Sequence, residues 1–245
     1  MQFYRRETVF FLKIADLTVK IDNRYRFVER FSEGYTVPAV DLPDIEVCIT
    51  EDDLANEPPP EDGEAPAYFL ESTAVYRKIA EKLPAYDAFV MHGSVIAVDG
   101  KAYIFTARSG VGKTTHTRLW LQRFADKAHV LNGDKPIIRF IGGVPYACGT
   151  PWRGKENYGI NEMLPLGGIV FFGRGVENRA YPIEKEKAFF ALSTQIYRSR
   201  NKDHVIKTLA LTDRLLNSTR LIAAECNMDI EAADVVYNAL VLDND

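Results

Sequence analysis

Apolar residues fall on alternate positions through Leu17-Thr18-Val19-Lys20-Ile21 and again through Ile45-Glu46-Val47-Cys48-Ile49, the period of a strand with one buried face. With the apolar segment from Val9 to Ile14, this makes the first fifty residues read as β-rich. The period then changes. Val75, Ile79 and Leu83 recur four apart behind Ser72, which predicts a helix capped by Ser72 and stopped at Pro84. Phe89 to Val98 and Lys101 to Thr106 read as two strands, joined by Asp99-Gly100 in a tight antiparallel hairpin. Thr117, Trp120, Leu121 and Phe124 recur at helical spacing and read as core. Strands are expected at 130–131, 137–141 and 144–148, with Gly142-Gly143 as a second hairpin turn, and at 166–172. The end of the chain predicts helices at about 184–198, 204–216 and 230–240, the last capped by Asp229, with a short strand over 221–224.

Residues 56–66 hold Pro58-Pro59-Pro60 and Gly63 among acids, a composition unable to bury apolar surface. That break separates a β-rich portion, 1–70, from the remainder, 71–245, the two expected to pack as one compact unit. The 245 residues, 47% hydrophobic and 26% charged, suffice for a sizeable core and exclude bulk disorder. No apolar run of membrane-spanning length and no apolar leader is present, so a cytoplasmic location with no membrane attachment is expected. Cys48, Cys148 and Cys226 are too few and too scattered for a disulfide framework or a structural zinc site and read as reduced core thiols. The net charge of −4 disfavours nucleic acid as a partner. It is uneven: 51–66 carries seven acids and no Lys or Arg, and with these set aside the chain is at +3, compatible with an anionic ligand.

One segment carries specific chemistry. Ala107-Arg108-Ser109-Gly110-Val111-Gly112-Lys113-Thr114 follows a predicted strand, opens a predicted helix and matches a phosphate-binding loop, with Ala107 at the usual first Gly. Gly110 and Gly112 would let successive N–H groups of Ser109 to Thr115 point at phosphate oxygens, at the positive end of the helix. Lys113 would reach the β- and γ-phosphates, and the Thr114 hydroxyl would bind Mg²⁺. The expected ligand is therefore ATP with Mg²⁺; the bland alternative is a Gly-rich turn. Asp134 ends an apolar strand, where an acid that binds Mg²⁺ should emerge, and is otherwise a turn residue. His92 stands in an apolar strand, where a lone His is commonly a core residue.

The preceding hairpin, Met91-His92-Gly93-Ser94 twenty-one residues before Lys113 and Asn132-Gly133-Asp134-Lys135 with Asp134 twenty-one after it, together resemble the superfamily of HPr kinase/phosphorylase and phosphoenolpyruvate carboxykinase. Over residues 89–175 the chain looks most like the small HPr-kinase-like proteins of bacteria. The resemblance implies an α/β fold with a mixed sheet around the phosphate loop, the N-terminal β-rich portion packed on it and C-terminal helices over one side. It implies that His92 approaches the metal and γ-phosphate, and that Asp134 is the second of two paired aspartates. The first is replaced by Gly133, so the general base is unassigned and Asp134 carries metal binding, base function or both. Arg153-Gly154-Lys155-Glu156-Asn157-Tyr158-Gly159 is similar to the mobile Arg-Gly loop of HPr kinases; Arg153 and Lys155 would supply charge to a transition state, and Glu156 is a substitute base. His116, Arg174 and Arg179 read as polar surface or solvated turn, and Lys135 as a counter-charge.

The expected activity is an ATP-dependent kinase that transfers the γ-phosphoryl group to a hydroxyl of a small metabolite or of a protein or peptide serine. Catalysis would fall to Asp134, His92, Lys113 and Arg153. A noncatalytic ATP-binding regulatory module is the alternative, since the replaced aspartate allows binding without transfer. A homo-oligomer is compatible with the sequence.

Overall fold

The β1–β2 hairpin, Arg5–Ile14 and Leu17–Tyr25, begins the described chain. The computed structural model describes residues 5–60, 63–107 and 112–242, so Arg108, Ser109, Gly110 and Val111 of the glycine-rich loop lie outside the described residues. The chain divides into two units, Met1–Leu83 and Pro84–Asp245. The division falls after 83, not after 70, because the helix that follows the acidic segment packs on the N-terminal sheet and contributes Val75 and Ile79 to buried positions.

In the first unit, β3 (Thr36–Val37) and β4 (Ile45–Cys48) complete a four-stranded sheet ordered β3-β1-β2-β4, with β2 and β4 parallel. Its alternation is the one the sequence shows: Leu17, Val19 and Ile21 are buried while Thr18, Lys20 and Asp22 are partly exposed. Helices α1 (Phe27–Phe31), α2 (Glu51–Ala55) and α3 (Ala67–Lys82) complete the unit. One expectation fails here. The helix starts at Ala67 behind Pro66, so Ser72 is a buried residue inside α3 and not its cap. Ahead of the proline-rich break, 51–55 form the helix α2, whose Thr50 and Asp53 make a capping box. Cys48 points outward and is exposed, whereas Cys148 and Cys226 are buried, as expected of core thiols.

The second unit is α/β, with one mixed sheet. Its strands are β5 (Ala88–Val90), β6 (Ser94–Val98), β7 (Lys101–Thr106), β8 (Ala128–Asn132), β9 (Ile137–Ile141), β10 (Val144–Cys148), β11 (Met163–Arg174), β12 (Arg179–Pro182) and β13 (Leu221–Cys226). The main path runs β5-β9-β10-β11-β7-β6-β8, and β13 joins β11 on its other edge. Both expected hairpins form: β6 and β7 turn at Asp99 and Gly100, both at positive φ, and β9 and β10 turn at Gly142-Gly143. The single strand expected over 89–98 is two. It breaks at Met91-His92-Gly93, where the chain leaves β9 as its partner and takes up β7 and β8.

Beside this antiparallel part, β7, β11 and β13 run parallel, with Phe105 opposite Val170 and Val170 opposite Ile222. Successive residues bury into opposite cores. Ile104 and Ile169 join a cluster with Leu192 of α5 (Lys185–Ser193) and Leu215 of α6 (Lys202–Ser218). Phe105 and Val170 join another with Trp120 of α4 (Lys113–Phe124) and Val236 of α7 (Glu231–Val241). The C-terminal helices therefore cover both faces, not one, as parallel strands buried on both sides require.

Candidate functional site

The described part of the loop after β7 ends at Gly112, which precedes α4 at φ +117°, a conformation open to glycine because it lacks a Cβ. Lys113 follows, its Nζ donating to the Ala107 carbonyl oxygen at 2.9 Å. The first turn of α4 is tied to β6: Ser94 Oγ and Thr117 Oγ1 are 3.0 Å apart, and Thr117 Oγ1 also donates to the Lys113 carbonyl. Thr114 and Thr115 remain exposed. Burial pushes the Lys113 ammonium below its ordinary range; Asp134 opposes this and Lys135 adds to it.

Asp134 arrives from β8 through an Asx turn. The Asn132 side chain is fully buried; its oxygen accepts the N–H groups of Asp134 at 2.9 Å and Lys135 at 2.8 Å, while its amide donates to the Thr150 carbonyl at 3.0 Å. This fixes the carboxylate between an imidazole and an ammonium: His92 Nε2 lies 3.1 Å from one oxygen and Lys135 Nζ 2.9 Å from the other. Burial alone would raise the Asp134 pKa, but the bond from His92 and the Lys135 charge outweigh it and bring it to about 2. His92 is itself held, its N–H donating to the Gln195 carbonyl at 2.7 Å and its Nδ1 lying 3.1 Å from Gln195 Oε1.

The segment 152–160 lies against the turn after β8. Lys135 N–H donates to the Trp152 carbonyl, Gly133 N–H to the Tyr158 carbonyl and Ile160 N–H to the Leu131 carbonyl. The mobile loop suggested by Gly154 and Gly159 is thus clamped at both ends. Gly133 explains itself here: a Cβ on it would stand 2.5 Å from the Arg153 carbonyl oxygen, so no aspartate fits where the resemblance would place one. Arg118 of α4 reaches Glu156 at 2.8 Å, which makes Glu156 the ion-pair partner of an exposed arginine.

These parts face one cavity of about 480 Å³, lined among others by His92, Lys113, Thr114, Thr115, Asp134 and Arg153. Of the residues given binding or catalytic roles from the sequence, His92, Gly112, Lys113, Thr114, Thr115, Asp134 and Arg153 are on that wall, and Ser109, Gly110 and Val111 lie outside the described residues. Lys155, Glu156 and Arg174 line it as well. Sequence reasoning missed Asn132 and Gln195. The Asn-Gly-Asp turn chemistry could have marked the first; the second is brought in by tertiary structure alone. His116, read as polar surface, is 1% exposed, and burial lowers its pKa to about 4.

The donor set suits a hard divalent cation: one carboxylate, Asp134, and one hydroxyl, Thr114, share the cavity. Among the described residues no three His, Cys, Asp or Glu side chains cluster as a metal centre, so such an ion would take its remaining oxygens from a ligand and water. Binding it at Asp134 would mean displacing Lys135 or His92 from one oxygen.

No protein-family model matches the chain, and no curated protein is similar to it. Among solved structures it is similar to the HPr(Ser) kinase/phosphatase from Coxiella burnetii, with 11% identity over 51% of this chain and 96% of that one. The TM-score is 0.28, below what establishes a shared fold. Among the described residues no helix is long and apolar enough to cross a membrane.

Proposed function

We propose that the cavity binds ATP with Mg²⁺ and that the chain transfers the γ-phosphoryl group to a hydroxyl of a small molecule or of a protein or peptide side chain. The convergence of Lys113, Thr114, Asp134, His92 and Arg153 on one cavity carries this reading. Lys113, Gly112 and the glycine-rich loop would hold the phosphates, and Thr114 and Asp134 would hold Mg²⁺, which when bound supplies charge neutralisation there. The bond between the γ-phosphorus and the β–γ bridging oxygen breaks with its electron pair leaving on ADP, while the acceptor oxygen bonds to phosphorus. Asp134 is too acidic to deprotonate a free hydroxyl. It can take the proton late, once the new O–P bond has made that proton strongly acidic. Arg153, Lys155 and Arg174 face the transferred charge.

A noncatalytic nucleotide sensor is the second reading, favoured by Gly133, where backbone packing leaves no room for a second acid. Calorimetric titration with ATP and Mg²⁺ tests the binding. Lys113→Ala should weaken it by about 1.5–3 kcal/mol, the value of a charge-assisted contact, and equal affinities would refute the site. Labelled ATP with a pool of hydroxyl acceptors separates the two readings: a kinase labels a product, and Asp134→Asn loses that labelling more than it loses metal-free ATP binding.

A further inference from the structure

Helix α5 is followed by Thr194, and the chain that leaves it turns back along β5: Tyr197 N–H donates to the Val90 carbonyl at 2.9 Å, and Met91 pairs with Ile196. Gln195 sits between the helix end and this pairing, its N–H donating to the Leu192 carbonyl and its own carbonyl accepting from His92 N–H. The backbone thus delivers its side chain to the imidazole. Gln195 does not line the cavity that His92, Lys113 and Asp134 share, so any effect it has on chemistry there passes through His92.

Which side of the amide meets the ring follows from its other neighbour. Thr194 has one hydroxyl proton, and Oγ1 donates it to the Ala191 carbonyl at 2.9 Å. Toward Gln195, 3.1 Å away, the same oxygen can only accept, so the amide NH₂ points at Thr194 and Oε1 points at the ring. An amide oxygen also only accepts; His92 Nδ1, 3.1 Å from it, therefore carries a proton and donates. The consequence is for the ring's orientation. Half a turn about its Cβ–Cγ bond would exchange Nδ1 with Cδ2 and Nε2 with Cε1, setting a carbon where Nε2 now stands 3.1 Å from the Asp134 carboxylate and another against the Gln195 oxygen.

We infer that Gln195, itself oriented by Thr194, is a positioning residue for phosphoryl transfer: it keeps the proton on His92 Nδ1 and Nε2 facing Asp134 and the cavity. The inference rests on the reading of that cavity as a kinase site. A partner at one ring nitrogen sets both the orientation of a histidine and the nitrogen it presents.

Two measurements on the full chain test it. The first needs no nucleotide. Resonances of the imidazole nitrogens distinguish a protonated nitrogen from one with a free lone pair, and His92→Ala identifies the His92 signals among those of the four histidines. Near neutral pH the wild type and Gln195→Glu, which keeps an acceptor at the ring, should show a protonated Nδ1. Gln195→Met, of similar length and without an acceptor, should show a lone-pair Nδ1, the proton moving to Nε2 beside Asp134. The second is transfer from labelled ATP to hydroxyl acceptors. Gln195→Met should lower turnover at saturation about tenfold and leave ATP affinity within about twofold, whereas Gln195→Glu should restore turnover to within about threefold of the wild type. Thr194→Val, which frees the amide to turn, should fall between them. A protonated Nδ1 in Gln195→Met, or a Gln195→Glu variant as damaged as Gln195→Met, would overturn the positioning role. No transfer by the wild type would refute the kinase reading and the role in transfer with it, while the nitrogen signals would still report whether Gln195 holds the ring.

Discussion

A methyl group at Gly133 would meet the Arg153 carbonyl oxygen at 2.5 Å and the Tyr158 carbonyl oxygen at 3.3 Å, and both are backbone atoms that move only if the loop moves. Gly133→Ala should therefore cost about 1–3 kcal/mol, the usual penalty for overpacking, read as a lower chemical-denaturation midpoint at unchanged slope. Hydrogen exchange at the Gly133 and Ile160 amides should rise with it, since these bonds clamp the loop. A variant as stable and as protected as the wild type would mean the loop yields freely. The same position shows what a sequence motif hides. Gly133 reads as the loss of an acid, whereas in the fold its missing side chain is what lets residues 153–158 come close enough to put Arg153 on the cavity wall.

At the level of elements, the hairpins and buried strands were legible because their signals are local: Asp99-Gly100 and Gly142-Gly143 carry the turn, and a one-residue change of register would put Ile104 into the wrong core. The break at His92 and the support from Gln195 were not. An apolar run from Phe89 to Val98 looks continuous, and only the separate pairing of β5 with β9 and β6 with β7 divides it. The segment carrying Arg153 sits between these cases, since its composition suggests a free loop and its hydrogen bonds to 131–135 make a clamped one. With its ends fixed, Arg153 can serve the transferred group without holding the resting nucleotide. Arg153→Ala should leave ATP affinity within about threefold and lower turnover at least about tenfold, roughly 1.4 kcal/mol of transition-state stabilisation. Lost ATP binding with intact turnover at saturation would place Arg153 on the nucleotide instead.

Over the whole molecule, the site residues all belong to the unit Pro84–Asp245, and a buried acid with a raised pKa, Glu71, belongs to the other. Glu71 is fully buried in α3, where Arg24 and Tyr25 N–H groups donate to its carboxyl oxygens. Burial raises its pKa, against the opposing hydrogen bonds of Tyr25 and Asn23, from 4.5 to about 7. The folded state then holds a proton that the unfolded chain releases, so the Glu71 contribution to stability is greatest below about pH 4.5 and declines as pH rises through about 7. Asp134, with a pKa near 2, stays charged across that range, whereas His116, held down to about 4 by burial, makes the unit that carries the site more stable as pH rises from about 4 to 6.5. The two tryptophans, Trp120 and Trp152, both lie in the second unit, so their fluorescence follows that unit while circular dichroism follows both. Urea unfolding should show a transition silent in tryptophan fluorescence whose midpoint falls between pH 5 and pH 8, and a fluorescent one that Mg²⁺-ATP moves upward by mass action. Glu71→Gln should lower the first midpoint, by setting an amide N–H₂ against a backbone donor, and at the same time flatten its dependence on pH. An unchanged slope in that variant would assign the titration to another group, and a pH-dependent midpoint confined to the fluorescent transition would place it in the unit that carries the site.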